Sequence, residues 1–186
     1  MSPRAKIRLA AALLAGFLTV VHADNPPTNG AIMKLHLTTT AFAEGQPIPH
    51  RHAFDDQDLS PALQWSGVPP AAKSLALICD DPDAPAGTWV HWVMYDLPPA
   101  TAGVAEGVPK SPELSNGTRQ GMNDYQRLGY GGPCPPPGKP HHYFFKLYAL
   151  DLRPDLKPGV TKKDLVAAMD GHVLAEAQLM GTYERK

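Results

Sequence analysis

The chain has 186 residues, with 17 Lys and Arg against 18 Asp and Glu and a formal net charge of -1. It shows no cluster of basic residues that could track a phosphate backbone, which excludes nucleic acid as the expected partner. The 21 prolines and 16 glycines argue for frequent turns and ordered loops and against a helical bundle.

Arg4, Lys6 and Arg8 precede an apolar stretch from Leu9 to Val21 and the small-residue site Val21-His22-Ala23. This pattern predicts a signal peptide over residues 1–23, because the apolar run is shorter than the roughly 20 residues that cross a bilayer. An exported chain, periplasmic or secreted, without a transmembrane anchor is therefore expected. Residues 24–31 read as a flexible leader with little to bury, and residues 32–186 as one domain able to bury its own core. Export also makes a disulfide between Cys79 and Cys134 chemically allowed; only the fold decides whether the two approach.

Ile32 to Thr40 reads as a strand closed by the turn Glu44-Gly45-Gln46-Pro47. A second strand is expected around Leu63-Gln64-Trp65, and Ser74 to Cys79 is a short apolar run that suits a buried strand. Trp89 to Leu97 is rich in β-branched and aromatic residues and ends at Pro98-Pro99. Residues 100–140 carry glycines, prolines and polar residues without a sustained period, the mark of an ordered functional loop. His141 to Leu150 predicts another long strand. Thr161 is a plausible N-cap for a helix over Lys162 to Met169, stopped by Gly171. Val173, Leu174, Ala177 and Met180 fall at helical spacing, which predicts a second short helix before a terminal strand or tail.

Strand alternation puts His141 and Tyr143 on one face and His142 on the other. His91 follows the acidic loop Asp80-Asp81-Pro82-Asp83-Ala84-Pro85, whose prolines stiffen it. In Gly129-Tyr130-Gly131-Gly132-Pro133-Cys134-Pro135-Pro136-Pro137-Gly138 the glycines allow backbone N–H groups to turn toward an oxyanion. Trp89 and Trp92 read as core or pocket-wall packing, and Asp80 and Asp83 as residues that shape their loop.

Cys79 to Pro85 with Thr88 to Trp92, and Gly129 to Pro137 with His141-His142-Tyr143, resemble the two signature regions of the phosphatidylethanolamine-binding proteins. Asp58 to Trp65 and Ala168 to Ala175 resemble the bacterial Raf-kinase-inhibitor-like (YbhB/YbcL) branch of that family. The resemblance spans nearly all of the chain after the signal peptide. It implies a mainly β fold, a large antiparallel sheet packed on a smaller one with a few short peripheral helices, and a pocket for phosphate-like anions. By position it implies ligand-binding roles for Asp81, Ala84, Pro85, Trp89 and His91 in the first region. In the second it implies them for Gly131, Gly132, Pro133, His141 and Tyr143. The chain ends at Lys186 without the further long helix of the animal proteins, so their lipid and kinase partners are not carried over. Dimerisation is compatible with the bacterial branch.

Two imidazoles, a phenol and backbone amides supply donors for an anion without a fixed charge. Asp81 is expected to accept a hydrogen bond from a histidine or from the ligand's proton, and anion affinity to rise in mild acid. The expected function is non-enzymatic binding of a phosphate-like or other anionic head group, with modulation of a kinase, protease or other partner as an extension. No cofactor is implied. The rival from another class is a metal-dependent hydrolase using Asp81, His91 and His141. Neither an HExxH helix nor Cys/His ligand spacing accompanies it, and a nucleophilic enzyme lacks support because Ser60 precedes Pro61 without a Gly-x-Ser-x-Gly elbow.

Overall fold

The computed structural model describes residues 34–185. The signal peptide expected over 1–23 and the leader over 24–31 lie outside the described residues. No described helix is long and apolar enough to cross a membrane.

Among the described residues, eight strands form two antiparallel sheets. The smaller sheet has the order β1-β2-β5, from His36–Thr39, Leu63–Ser66 and Gly103–Val104. The larger has the order β6-β4-β3-β7-β8, from Arg119–Gln120, Trp89–Leu97, Ser74–Asp81, His141–Leu150 and Val173–Tyr183. Leu75, Leu77, Trp92, Met94, Phe145 and Leu147 on one face of the large sheet meet Leu37, Leu63 and Trp65 of the small one in the main core. The opposite face buries Ala76, Ile78, Val93 and Tyr95 under Leu165 and Met169 of α1, Lys162–Met169. The expected mainly β sandwich with few helices is what forms.

The central strand β3 is buried along its whole length, as an interior strand with both faces covered must be. Its one carboxylate on the helix side, Asp80, is 1% exposed and is neutralised by Lys146 of β7 and Lys162 at the start of α1. That pairing ties α1 to the sheet, a different task from shaping the loop. Thr161 caps α1 reciprocally with Asp164, as its position suggested.

The second helix expected from Val173, Leu174, Ala177 and Met180 does not form. Residues 173–183 are the edge strand β8, paired with β7 from His141↔Tyr183 to Leu150↔Val173. Ala175, Ala177, Leu179, Gly181 and Tyr183 alternate inward, so a period of two overrides the helix propensity of Leu-Ala-Glu-Ala-Gln once a long partner strand is present. Gly181 is buried, and a Cβ there would stand 2.6 Å from Ile48 Cγ1 and 2.7 Å from Phe42. Close packing, not helix termination, accounts for that glycine.

Alternation along β7 makes a direct test. Phe145 is fully buried, 6.0 Å from the Phe42 ring, whereas Phe144 is half-exposed. Phe145→Ala should cost about 3–5 kcal/mol in chemical denaturation. Phe144→Ala should cost less than about half of that; equal losses would contradict the facing assigned to β7.

Candidate anion-binding site

The site lies where β3, β4 and β7 end beside the loop of residues 123–136. His91 reaches it through an irregularity in sheet pairing. Cys79 pairs with Trp92 and Asp80 pairs with Val90, so β4 carries one more residue than β3 at this point, and that residue is His91. Such a bulge re-aims side chains. His91 faces the pocket next to Trp92, which enters the main core, while Val90 packs on the α1 side. From β7, His141 and Tyr143 share the inner face as alternation requires, and His142 is exposed on the other.

Asp81 organises the entrance. Its Oδ2 accepts from His141 Nδ1 at 2.7 Å and its Oδ1 accepts from the Asp83 backbone N–H at 2.8 Å. The hydrogen bond from a histidine to Asp81 therefore forms, with His141. Asp83 in turn accepts from the His142 backbone N–H and from His142 Nδ1 at 2.6 Å. Those bonds hold its carboxyl below the ordinary carboxylate range. The acidic loop is shaped by Asp83, as its sequence position indicated.

Gly131, Gly132 and Pro133 stand beside the cavity and are not among the residues that wall it. Their backbone groups are already engaged. Gly131 N–H donates to His91 O at 2.9 Å and Gly131 O accepts from His91 Nδ1 at 2.7 Å. Gly132 N–H donates to Asp58 Oδ1 at 2.7 Å, Gly132 O accepts from Tyr125 Oη at 3.0 Å, and Pro133 O accepts from Phe54 N–H at 3.0 Å. The tripeptide is a strut between β4 and residues 52–58. Gly132 is required there because a Cβ would fall 2.1 Å from His52 O. Asp58, also paired with Lys110, thus fixes the loop from behind.

The cavity itself has a volume of about 220 Å³ and is walled by Asp81, Ala84, Pro85, Trp89, His91, His141 and Tyr143, together with Tyr125, Cys134, Pro135 and Pro136. Tyr125 was not singled out from the sequence. It stacks on Phe54 at 4.2 Å and meets Trp89 and His91 edge-on at 5.3 and 5.7 Å. The residue stands in a polar stretch without periodicity, so only the loop motif Gly-Tyr-Gly-Gly following it marked the region. Cys134 lines this cavity 3.4 Å from Arg185 Nη1, while Cys79 is buried in the centre of β3. Both cysteines are free, so the disulfide allowed by export is not formed: one sulfur faces the sandwich core and the other the pocket.

Two donors in the wall lack partners. Trp89 Nε1 and Tyr143 Oη are both buried without a hydrogen bond. After burial, the nearby Asp81 carboxylate raises the pKa of the phenol, by its charge and to a smaller degree by a weak contact with the hydroxyl that falls short of a well-formed hydrogen bond. Tyr143 therefore stays a protonated donor. His91 is 2% exposed, and burial pushes its pKa down, with the Gly131 carbonyl opposing in part. Because a carbonyl only accepts, the proton of the neutral ring sits on Nδ1, leaving Nε2 as a lone pair. Buried His52, whose Nδ1 donates to Leu59 O, is likewise pushed down by desolvation.

Both histidines bind fewer protons in the fold than in the unfolded chain. Their contribution to stability is present above the unfolded value of about 6.5 and is lost as pH falls below it toward the lowered native values. The melting temperature should therefore fall between about pH 7.5 and 5.5, and His91→Gln should remove part of that fall. Gly132→Ala should destabilise by about 3 kcal/mol and abolish the pocket's NMR signature, since backbone must move to admit the methyl.

Residues 38–184 match the family described as phosphatidylethanolamine-binding protein. A UPF0098 protein of Methanothermobacter thermautotrophicus is 54% identical over 151 residues, covering 81% of this chain and 99% of that one. One of Aquifex aeolicus is 48% identical over 158 residues, covering 84% and 91%. Among solved structures, a phosphatidylethanolamine-binding protein homolog of Chlamydia trachomatis superposes with a TM-score of 0.75 at 43% identity, over 83% of this chain and 99% of its own. E. coli YbcL, described as a member of the mammalian family, superposes with a TM-score of 0.77 at 31% identity, over 82% and 99%. With Asp81, His91, His141 and Tyr143 of its signature regions gathered on one cavity and these matches along nearly the whole described chain, the protein belongs to the phosphatidylethanolamine-binding protein family.

Proposed function

We propose that the protein is a non-enzymatic binding protein whose pocket receives a phosphate-like or other small anionic head group. The observation that carries this reading is the pair of buried donors without partners, Trp89 Nε1 and Tyr143 Oη, on the wall of one cavity. An unpaired buried donor costs about 1–3 kcal/mol, which an oxyanion accepting from both would offset. A cavity of about 220 Å³ suits a small head group. His91 and His141 add two imidazoles to the same wall. A signal peptide over residues 1–23 would put this pocket in the periplasm or outside the cell, where a protein partner would present an acidic or phosphorylated group to it.

The metal-dependent alternative gains no supporting observation. Both Asp81 oxygens are engaged, by His141 and by Asp83 N–H. Among the described residues no group of three or more His, Cys, Asp or Glu is placed to hold an ion.

An NMR titration with inorganic phosphate near pH 6 tests the reading. Saturable shifts of residues 81–91 and 141–143 are expected. Tyr143→Phe, which keeps the ring and removes one donor, should weaken binding about tenfold. Absence of shifts in the folded protein would overturn the proposal.

A further inference from the structure

The polarity of the pocket wall says more about the anion, on the premise that the pocket binds one. Both imidazoles are anchored the same way round: His91 Nδ1 donates to Gly131 O and His141 Nδ1 donates to the Asp81 carboxylate. Neither Nε2 has a partner among the described residues, and neither is enclosed, so both open toward the cavity that the two rings line. A neutral imidazole whose proton is on Nδ1 presents Nε2 as an acceptor. The wall thus offers two donors, Trp89 Nε1 and Tyr143 Oη, and an acceptor, His91 Nε2, with a second on His141 in its neutral form.

Among the described residues, no lysine or arginine lines this cavity. The titratable groups around the rings are mostly acidic or neutral. Asp81 and Asp124 act on His91, and Asp81 and Asp83 flank His141. Tyr125 and Tyr143 contact His91 edge-on, and Cys134 stands at the wall with Arg185 behind it. A bare oxyanion has acceptors only, and would face the His91 Nε2 lone pair with the Asp81 carboxylate nearby. An oxyanion bearing an O–H satisfies an Nε2 while its remaining oxygens accept from Trp89 and Tyr143.

We propose that the pocket selects oxyanions that carry a proton, taking inorganic phosphate in preference to sulfate and phosphodiesters, and phosphomonoesters only while they are protonated. The proton balance is explicit. A hydrogen-phosphate group brings its own proton to Nε2, whereas sulfate or a diester can be accepted only after an imidazole has taken a proton from solvent. Phosphomonoesters titrate near pH 6 and are mostly bare dianions above it, whereas inorganic phosphate keeps an O–H in both of the forms present around neutrality. A site built to receive a ligand's O–H rejects an isostere without one, because the site's own polar group is left unpaired.

Full-chain protein would be titrated by NMR with inorganic phosphate, phosphoethanolamine, glycerophosphoethanolamine and sulfate, at about pH 7.5 and about pH 5.5. At the higher pH, phosphate should bind at least about tenfold more tightly than sulfate and the diester, while phosphoethanolamine, mostly unprotonated there, should gain on them at the lower pH. His91→Gln, whose amide can donate as well as accept, should narrow the gap between phosphate and sulfate. At the lower pH, phosphoethanolamine binding more tightly than phosphate would assign the selected group to a protonated monoester, and parity would assign it to free phosphate. Sulfate matching phosphate at the higher pH would overturn the selectivity and leave the binding reading standing. Failure of phosphate at both pH values would instead overturn the binding reading on which this one rests.

Discussion

One extra residue in β4 governs the site. Opposite Cys79 and Asp80 the pairing of β3 and β4 slips, and His91 is accommodated as the additional residue. A regular strand would send His91 and Trp92 to opposite faces. The bulge lets Trp92 fill the sandwich core, with its Nε1 donating to Gln120, while its neighbour faces the cavity. The rest of the site is arranged to hold that exception. Gly131 pairs with the His91 backbone and ring together, Gly132 closes against residues 52–54, and Asp58 takes the Gly132 N–H.

The division of polar groups follows from this scaffold. Backbone groups of the glycine loop are consumed in fixing the bulge, so they are spent on geometry. Side chains carry what remains for a ligand: an indole N–H, a phenol, and two Nε2 atoms whose rings are oriented from behind by Asp81 and Gly131. Burial keeps His91 neutral and Tyr143 protonated, so the cavity holds both donors and acceptors without a fixed positive charge. On the other face of the same sheet, Asp80 meets two lysines and anchors α1. Adjacent aspartates on one strand therefore serve opposite sides of the sheet, one structural and one at the pocket.

Where sequence and structure part, the reason is a partner distant in the chain. Residues 173–180 have helical spacing and helix-forming composition, yet β7 offers a complete register to pair with. Gly132 in a Gly/Pro loop reads equally as a donor to a ligand or as a close packing point; His52 O, 2.1 Å from where its Cβ would be, decides for packing. Tyr125 has no local pattern at all and acquires its place only by stacking on Phe54 and meeting His91.

The sequence by itself determined the mainly β class, strands β3, β4 and β7, the capped helix α1, and the shared face of His141 and Tyr143. These follow from local rules, a period of two, a capping residue and β-branched runs, that need no knowledge of distant contacts. The family motifs determined that Asp81 and His91 belong to the same site. Only the tertiary structure decided that β8 is a strand, that Cys79 and Cys134 stay apart, and that the glycine loop supports the cavity from behind. It also decided which polar atoms remain unpaired, because satisfaction of a buried donor or acceptor depends on every neighbour that folding brings within about 3 Å.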